Sequence, residues 1–276
     1  MSTGATNHFG RDEPMRNTRT TLALAAALLA VTATGAMAQP QLIAVDSSRA
    51  LYDIDMNTGA KTLLCTVSSN AGTTGGLAYD RFSNTVYLTS TSLDSVYTLD
   101  INTCNATLIG PYGDSAVVMH GIEYDESTGI LYGASSHNGG LYNINKVTGA
   151  ATLIGTSGLT SFTNLGYDSA ADVLYATNSG SDSFYTINRA TGAATLIGTL
   201  NGPTNPNGLA YDWDTDTLFM VDNSTDNLYK IDRATGQANL IGSTGTGNLL
   251  GLMYIPEPAT LSLMAIGLVA LTRRRR

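Results

Sequence analysis

Gly208-Leu209-Ala210-Tyr211-Asp212 is one of five versions of a single pentad. The others are Gly76-Leu77-Ala78-Tyr79-Asp80, Gly121-Ile122-Glu123-Tyr124-Asp125, Asn164-Leu165-Gly166-Tyr167-Asp168 and Gly251-Leu252-Met253-Tyr254-Ile255. Further columns run outward at the same period. Tyr52, Tyr97, Tyr142, Tyr185 and Tyr229 are spaced 45, 45, 43 and 44 residues apart, and Tyr87, Tyr132, Tyr175 and Phe219 form another series. Thr-Leu-Ile-Gly ends at Gly110, Gly155 and Gly198, with variants at Thr62–Cys65 and Asn239–Gly242. Thirteen of the 14 tyrosines lie in these columns, and only Tyr112 stands outside.

Each full unit holds four short apolar segments separated by Gly, Asn, Asp and Ser, which read as strands. In the unit that opens at Asn164 they are 165–168, 173–177, 184–188 and 194–197. Between the third and fourth comes Thr-Gly (Thr58-Gly59, Thr148-Gly149, Thr191-Gly192, Thr235-Gly236), where Gly supplies the positive φ of a tight hairpin. Four antiparallel strands in about 44 residues is the arithmetic of a β-propeller blade. Helical solenoids of similar period need long 3.6-residue periodicity, and none is present.

The ends of the array predict its closure. The first copy, 41–67, has three strands and lacks the pentad, while the last, 251–255, is the pentad alone. The expectation is an all-β, five-bladed β-propeller of four-stranded blades over residues 39–255, with 1+3 closure by the C-terminal strand. The units resemble extracytoplasmic propellers of the NHL, YVTN and gluconolactonase-like kind, and lack the Gly-His and Trp-Asp pattern of WD repeats.

Residues 1–38 and 256–276 read as addresses. A basic stretch from Met15 to Arg19, an apolar run over 20–34 and Ala36-Met37-Ala38 describe a secretory signal peptide cleaved near Ala38 by signal peptidase. The translation start is open between Met1 and Met15. The other end reads Pro256-Glu257-Pro258, an uncharged apolar stretch over 259–272, then Arg273, Arg274, Arg275 and Arg276. Those arginines hold the terminus on the cytoplasmic side, and 14 apolar residues make only a marginal transmembrane helix. In that order the parts resemble the PEP-CTERM sorting signal of Gram-negative bacteria. The resemblance implies recognition by an exosortase, transient membrane insertion, cleavage near the motif, and release or attachment at the cell surface.

Between these ends, seven basic residues face 19 acidic ones, a net charge of −12. A surface so acidic repels phosphate backbones, which excludes nucleic acid as a partner class. Two cysteines exclude a disulfide scaffold. Cys65 ends a fourth strand and Cys104 sits in the turn before one, at opposite ends of a blade about 20 Å long. That exceeds the roughly 7 Å reach of a disulfide, so the expectation is that they do not pair.

Candidate binding residues lie where first strands begin and second strands end, on one face of the ring. They are His120, Asn178, Asn207 and Asp222; Asp46, Ser90 and Ser135 share the second-strand column. Such a ring could hold Ca²⁺, which favours six to eight oxygen ligands. Gluconolactonase-like propellers use a metal there, but their acidic and amide ligand set has no residue-by-residue match here and the blade count differs. Asp and Asn also belong in turns, and no cofactor is expected. Asp212-Trp213-Asp214-Thr215-Asp216 alternates carboxylates like a calcium loop, yet Thr217 replaces the required Gly, so it reads as a hairpin turn. Only His120 and His137 remain after signal removal, too few for a catalytic set, and no G-x-S-x-G or H-E-x-x-H occurs.

These features favour a non-enzymatic, exported propeller at the cell surface or in the extracellular matrix, binding protein or polysaccharide. Loops 110–120 and 202–207, which break the repeat, are its expected contacts. The alternatives are a metal-dependent lactonase- or lyase-like enzyme and a purely structural spacer.

Overall fold

The computed structural model describes residues 40–256 and, alone, Met1. The expected signal peptide, within residues 1–38, and most of the sorting segment therefore fall outside the described residues. What is described forms five four-stranded antiparallel sheets. Blade 1 contains β1 (Gln41–Asp46), β2 (Ala50–Ile54) and β3 (Lys61–Thr66), and blade 2 contains β4 (Thr74–Asp80), β5 (Thr85–Ser90), β6 (Ser95–Asp100) and β7 (Asn105–Pro111). Blade 3 is β8 (Met119–Asp125), β9 (Ile130–Ser135), β10 (Gly140–Ile144) and β11 (Ala151–Thr156). Blade 4 is β12 (Phe162–Asp168), β13 (Val173–Asn178), β14 (Ser183–Ile187) and β15 (Ala194–Thr199). Blade 5 is β16 (Pro206–Asp212), β17 (Thr217–Asp222), β18 (Asn227–Ile231) and β19 (Ala238–Ser243), and the chain ends in β20 (Leu249–Ile255).

β20 completes blade 1, in the order β20-β1-β2-β3, with Gln41 opposite Ile255 and Ala44 opposite Leu252. This is the expected 1+3 closure. The hydrophobic core is divided into five layers between successive blades, because each sheet buries both faces against its neighbours. In the layer between blades 1 and 2, for example, Ile43, Val45 and Leu51 meet Leu77, Val86 and Leu88. The innermost strands approach so closely that a Cβ on Gly121 would lie 2.5 Å from the Thr163 carbonyl oxygen.

Turns repeat as faithfully as strands. Asp80, Asp125, Asp168 and Asp212 each accept two backbone N–H bonds from the residues two and three ahead, closing the first hairpin of their blades. Asp55, Asp100, Asn145 and Asn188 do the same before the outer strand. This local bonding is why Asp and Asn recur at those columns. The aspartate-rich stretch 212–216 is thus a hairpin turn.

One expectation is overturned. Cys65 and Cys104 form a disulfide, with Cα atoms 6.4 Å apart. Their strand positions were read correctly, but the relevant distance runs between blades and not along one. Every outer strand carries a bulge just before its last turn-side residues, as between Tyr52–Leu63 and Leu51–Cys65. A bulge bends a strand and increases its twist. The end of each outer strand consequently meets the third hairpin turn of the next blade. At four junctions the meeting pair is Gly110·Gly149, Gly155·Gly192, Gly198·Gly236 and Gly242·Gly59, and at the fifth it is Cys65·Cys104. Cys104 holds the same left-handed conformation as those turn glycines, with φ 58° against 75–80°.

Tyr112, the tyrosine outside the columns, is a core residue and not a surface contact. It is 1% exposed, packs with Val117 and Met119 between blades 2 and 3, and donates its hydroxyl to the Ser95 carbonyl at 3.0 Å.

Candidate functional site

The ring has two faces. First strands begin and second–third turns lie on the entry face; first strands end on the exit face, beside the first–second and third–fourth turns. The four residues expected to bind ligand are on the entry face, spread over three consecutive blades. His120 on β8 hydrogen bonds through Nδ1 to Ser136 Oγ at 2.9 Å, and burial together with the charge of His137 lowers its pKa. Asn178 Oδ1 accepts the Gly180 N–H at 2.7 Å. Asp222 Oδ1 accepts from Ser224 N, Thr225 N and Thr225 Oγ1, while Oδ2 accepts the Asn205 N–H at 2.7 Å. Asn207 donates through Nδ2 to the Asn205 carbonyl at 2.9 Å, so Asn207 and Asp222 are joined through loop 202–207. The hydrogen bond of His120, like that of Asn178, stays within its own blade.

These contacts show what the side chains already do. Asn178 and Asp222 are 3% and 1% exposed, and their oxygens cap the second–third turns. Asp222 already accepts four hydrogen bonds through its two oxygens, which leaves it little lone-pair capacity for a Ca²⁺ ion that takes six to eight oxygen ligands. The arrangement does not fit the metal that the gluconolactonase resemblance implies. Among the described residues, no three His, Cys, Asp or Glu side chains gather as a metal centre.

A different constellation occupies the exit face, at the ring axis. All five pentad tyrosines, Tyr79, Tyr124, Tyr167, Tyr211 and Tyr254, line one cavity with Trp213, Glu123 and Glu126. Its volume is about 20 Å³, room for roughly one water molecule. The tyrosine hydroxyls are directed outward to turn residues: Tyr79 to Asn84, Tyr167 to Asp172 and Tyr211 to Asp216, at 2.7–2.8 Å, with Tyr254 to Asp214 at 2.7 Å. The rings are left as walls.

Cations pack against these rings. Lys146 lies over Tyr124, Arg189 over Tyr167 and Arg233 over Tyr211, at 4.6–5.5 Å from the ring centres. Arg189 and Arg233 also cross to the preceding blade. Arg189 pairs with Asp125 and Asp172, and Arg233 with Asp168 and Asp216. Arg189 and Tyr167 together hold the Asp172 carboxyl down at about 2. At the junction of blades 1 and 2 the pair becomes apolar, with Ile101 and Ile255 in the same layer. These clamps fix the ring around the cavity.

Two carboxyls distinguish blade 3. Glu123 stands in the column of Ala78, Gly166, Ala210 and Met253, the only charged side chain there. Its Oε1 accepts the Tyr124 N–H at 2.9 Å, and removal from water pushes its pKa up to about 8. Glu126 follows in the first–second turn, its side chain 7% exposed. Its Oε2 is 2.6 Å from Arg81 Nη2, a close charge pair without hydrogen-bond alignment, and its Oε1 has no partner. Arg81 in turn lies 5.0 Å over the Trp213 ring. Sequence reasoning missed this site, although a charged residue in a column of small and apolar ones was a visible signal.

A pH prediction follows from Glu123. A carboxyl whose pKa is higher folded than unfolded binds more protons in the native state, so its contribution to stability is lost as pH rises from about 4.5 to about 8. Glu123→Gln is expected to flatten the decline in thermal midpoint across that window relative to the unaltered protein. Parallel declines would contradict the assignment.

Residues 255–276 match the family described as the PEP-CTERM protein-sorting motif. The chain thus carries a signal that points to export and exosortase processing, attached to a propeller body. The match contains Pro256, Glu257, Pro258 and the four terminal arginines. Among the described residues no helix is long and apolar enough to cross a membrane, and the apolar stretch 259–272 lies outside them. No curated protein matches the chain in sequence.

Solved structures share the fold at low identity. A chain of a nidogen/laminin complex aligns with a TM-score of 0.57 and 14% identity, over 78% of this chain and 98% of that one. A protein of unknown function from Bacteroides thetaiotaomicron VPI-5482 aligns with a TM-score of 0.57 and 18% identity, over 81% and 66%. A symmetrical protein studied for its de novo evolutionary emergence gives 0.53 and 19%, over 79% and 99%.

Proposed function

We propose that this chain is an exosortase-sorted propeller of the cell surface or extracellular matrix, which binds protein or polysaccharide without catalysing a reaction. The observation that carries the reading is the join between body and signal. Ile255 is the last paired residue of the closing strand and also the first residue of the sorting motif. The folded ring is therefore delivered to the sorting enzyme with no spacer, as its cargo.

The binding surface in this reading is the entry face, away from the end at which the chain leaves β20. Loops 110–120 and 202–207 lie there, with Asp114, Ser115, Gly202 and Thr204 exposed. His120, Asn178, Asn207 and Asp222 shape that surface. Asn178 and Asp222 hold turns, Asn207 secures loop 202–207, and His120 presents an uncharged imidazole at neutral pH.

The test is fractionation of producing cells. The unaltered protein is expected in the surface or medium fraction, shortened at its C-terminus. A variant with Pro256→Ala and Pro258→Ala, or with Arg273 to Arg276 replaced by Ala, should stay in the membrane fraction at full length. Identical distribution and mass for all three would contradict the sorting reading. Purified protein should also co-sediment with the producer's surface polysaccharide or bind its surface proteins equally in EDTA and Ca²⁺. Binding that requires Ca²⁺, or none at all, would count against the ligand half of the reading.

A further inference from the structure

We propose that the exit-face cavity is a binding site for a primary ammonium group, with Glu123 and Glu126 supplying the charge and the five tyrosines and Trp213 the walls. The proposal is independent of the entry-face reading. It rests first on an unmet demand. Glu126 is buried at the cavity with one carboxylate oxygen lacking any partner, an arrangement that costs stability unless a donor arrives. An ammonium group brings three donors and a positive charge.

Size and charge narrow the choice. A cavity with room for about one water accepts an ammonium head but not a quaternary one. Two carboxyls face the space, and Arg81 neutralises one of them, leaving a single negative charge to match when both are ionised. Electron-rich rings on every side add cation–π attraction.

The charged groups acting on Glu123 are Glu126 and Asp125 from its own hairpin; Arg81 reaches Glu126 from blade 2, and the remaining lining includes the tyrosine and Trp213 rings. Its raised pKa, about 8, means that an arriving cation displaces a proton near neutrality. Apparent affinity for methylammonium, which stays protonated across the range, should thus increase by about tenfold between pH 7 and pH 9.

Trp213 is the only tryptophan and lines the cavity, so its fluorescence reads occupancy directly. Titrating the full chain with ammonium or methylammonium chloride, at constant ionic strength, is expected to give a saturable change. Tetramethylammonium, sodium and potassium chlorides should give none. A response to n-butylammonium as well assigns the site to an amine at the tip of a larger molecule, and its absence assigns it to the free ion. Glu123→Gln and Glu126→Gln, each with an unchanged circular dichroism spectrum, should weaken binding by about tenfold or more. Equal responses to all salts, no saturable response, or full affinity in folded Glu123→Gln would overturn the proposal.

Discussion

A chain that stops at Asn248 is expected not to form the propeller at all. β20 supplies Leu249, Leu250, Leu252, Met253 and Tyr254 to the core, all buried, and provides the partner strand for β1. Five such side chains contribute on the order of 10 kcal/mol at about 1.5–3 kcal/mol each. That matches the whole stability of a typical domain, about 5–15 kcal/mol. Blade 5 would also lose its neighbour, since Leu252 and Tyr254 pack with Ala210, Phe219 and Val221. Near-ultraviolet circular dichroism and thermal melts of the truncated chain should show neither fixed tyrosine environments nor a cooperative transition. A truncated protein that melts cooperatively near the full-length midpoint would refute closure by β20. The same reasoning constrains processing: a cut by the sorting enzyme must fall beyond Ile255 to release a stable body.

The second large effect concerns the disulfide. It closes a loop of 39 residues between blades 1 and 2, for which chain-entropy arguments give about 4 kcal/mol. Replacing both cysteines by Gly would restore the pair found at the other four junctions and remove the left-handed strain at Cys104, which recovers about 1–3 kcal/mol and so less than the cross-link contributes. The double variant should accordingly unfold at a clearly lower denaturant concentration than the oxidised protein. Reductant should lower the midpoint of the unaltered protein and leave that of the double variant where it is. Indistinguishable midpoints in all four measurements would show that the junction gains nothing from the cross-link.

The periodic columns made the blade count and closure legible, because each column has a physical cause that sequence displays. Gly121 must let two inner strands touch, Asp168 must cap a turn, and Gly192 must adopt positive φ. Such requirements act within a few residues and leave a residue-type signature. The Cys65–Cys104 bond was not legible because it depends on how a bulged outer strand leans onto the next blade, which no single unit records. The central cavity was illegible for a related reason. Tyr79, Tyr124, Tyr167, Tyr211 and Tyr254 read as one repeated core residue, and only ring closure brings them around a common axis. Glu123 did break its column, but whether that column faced the axis was a fact of the fold. His120, Asn178, Asn207 and Asp222 share the face where first strands begin, and there the structure gives Asn178 and Asp222 turn-capping bonds.

The central claim is an exported ring in which the turn of blade 2 meets the outer strand of blade 1. Peptide mass mapping under non-reducing conditions, on protein recovered from the surface or medium fraction, tests both parts together. The account predicts one linked pair of peptides, containing Cys65 and Cys104, which separates on reduction. Two free thiols in that fraction, or cysteines joined only between separate chains, would contradict it.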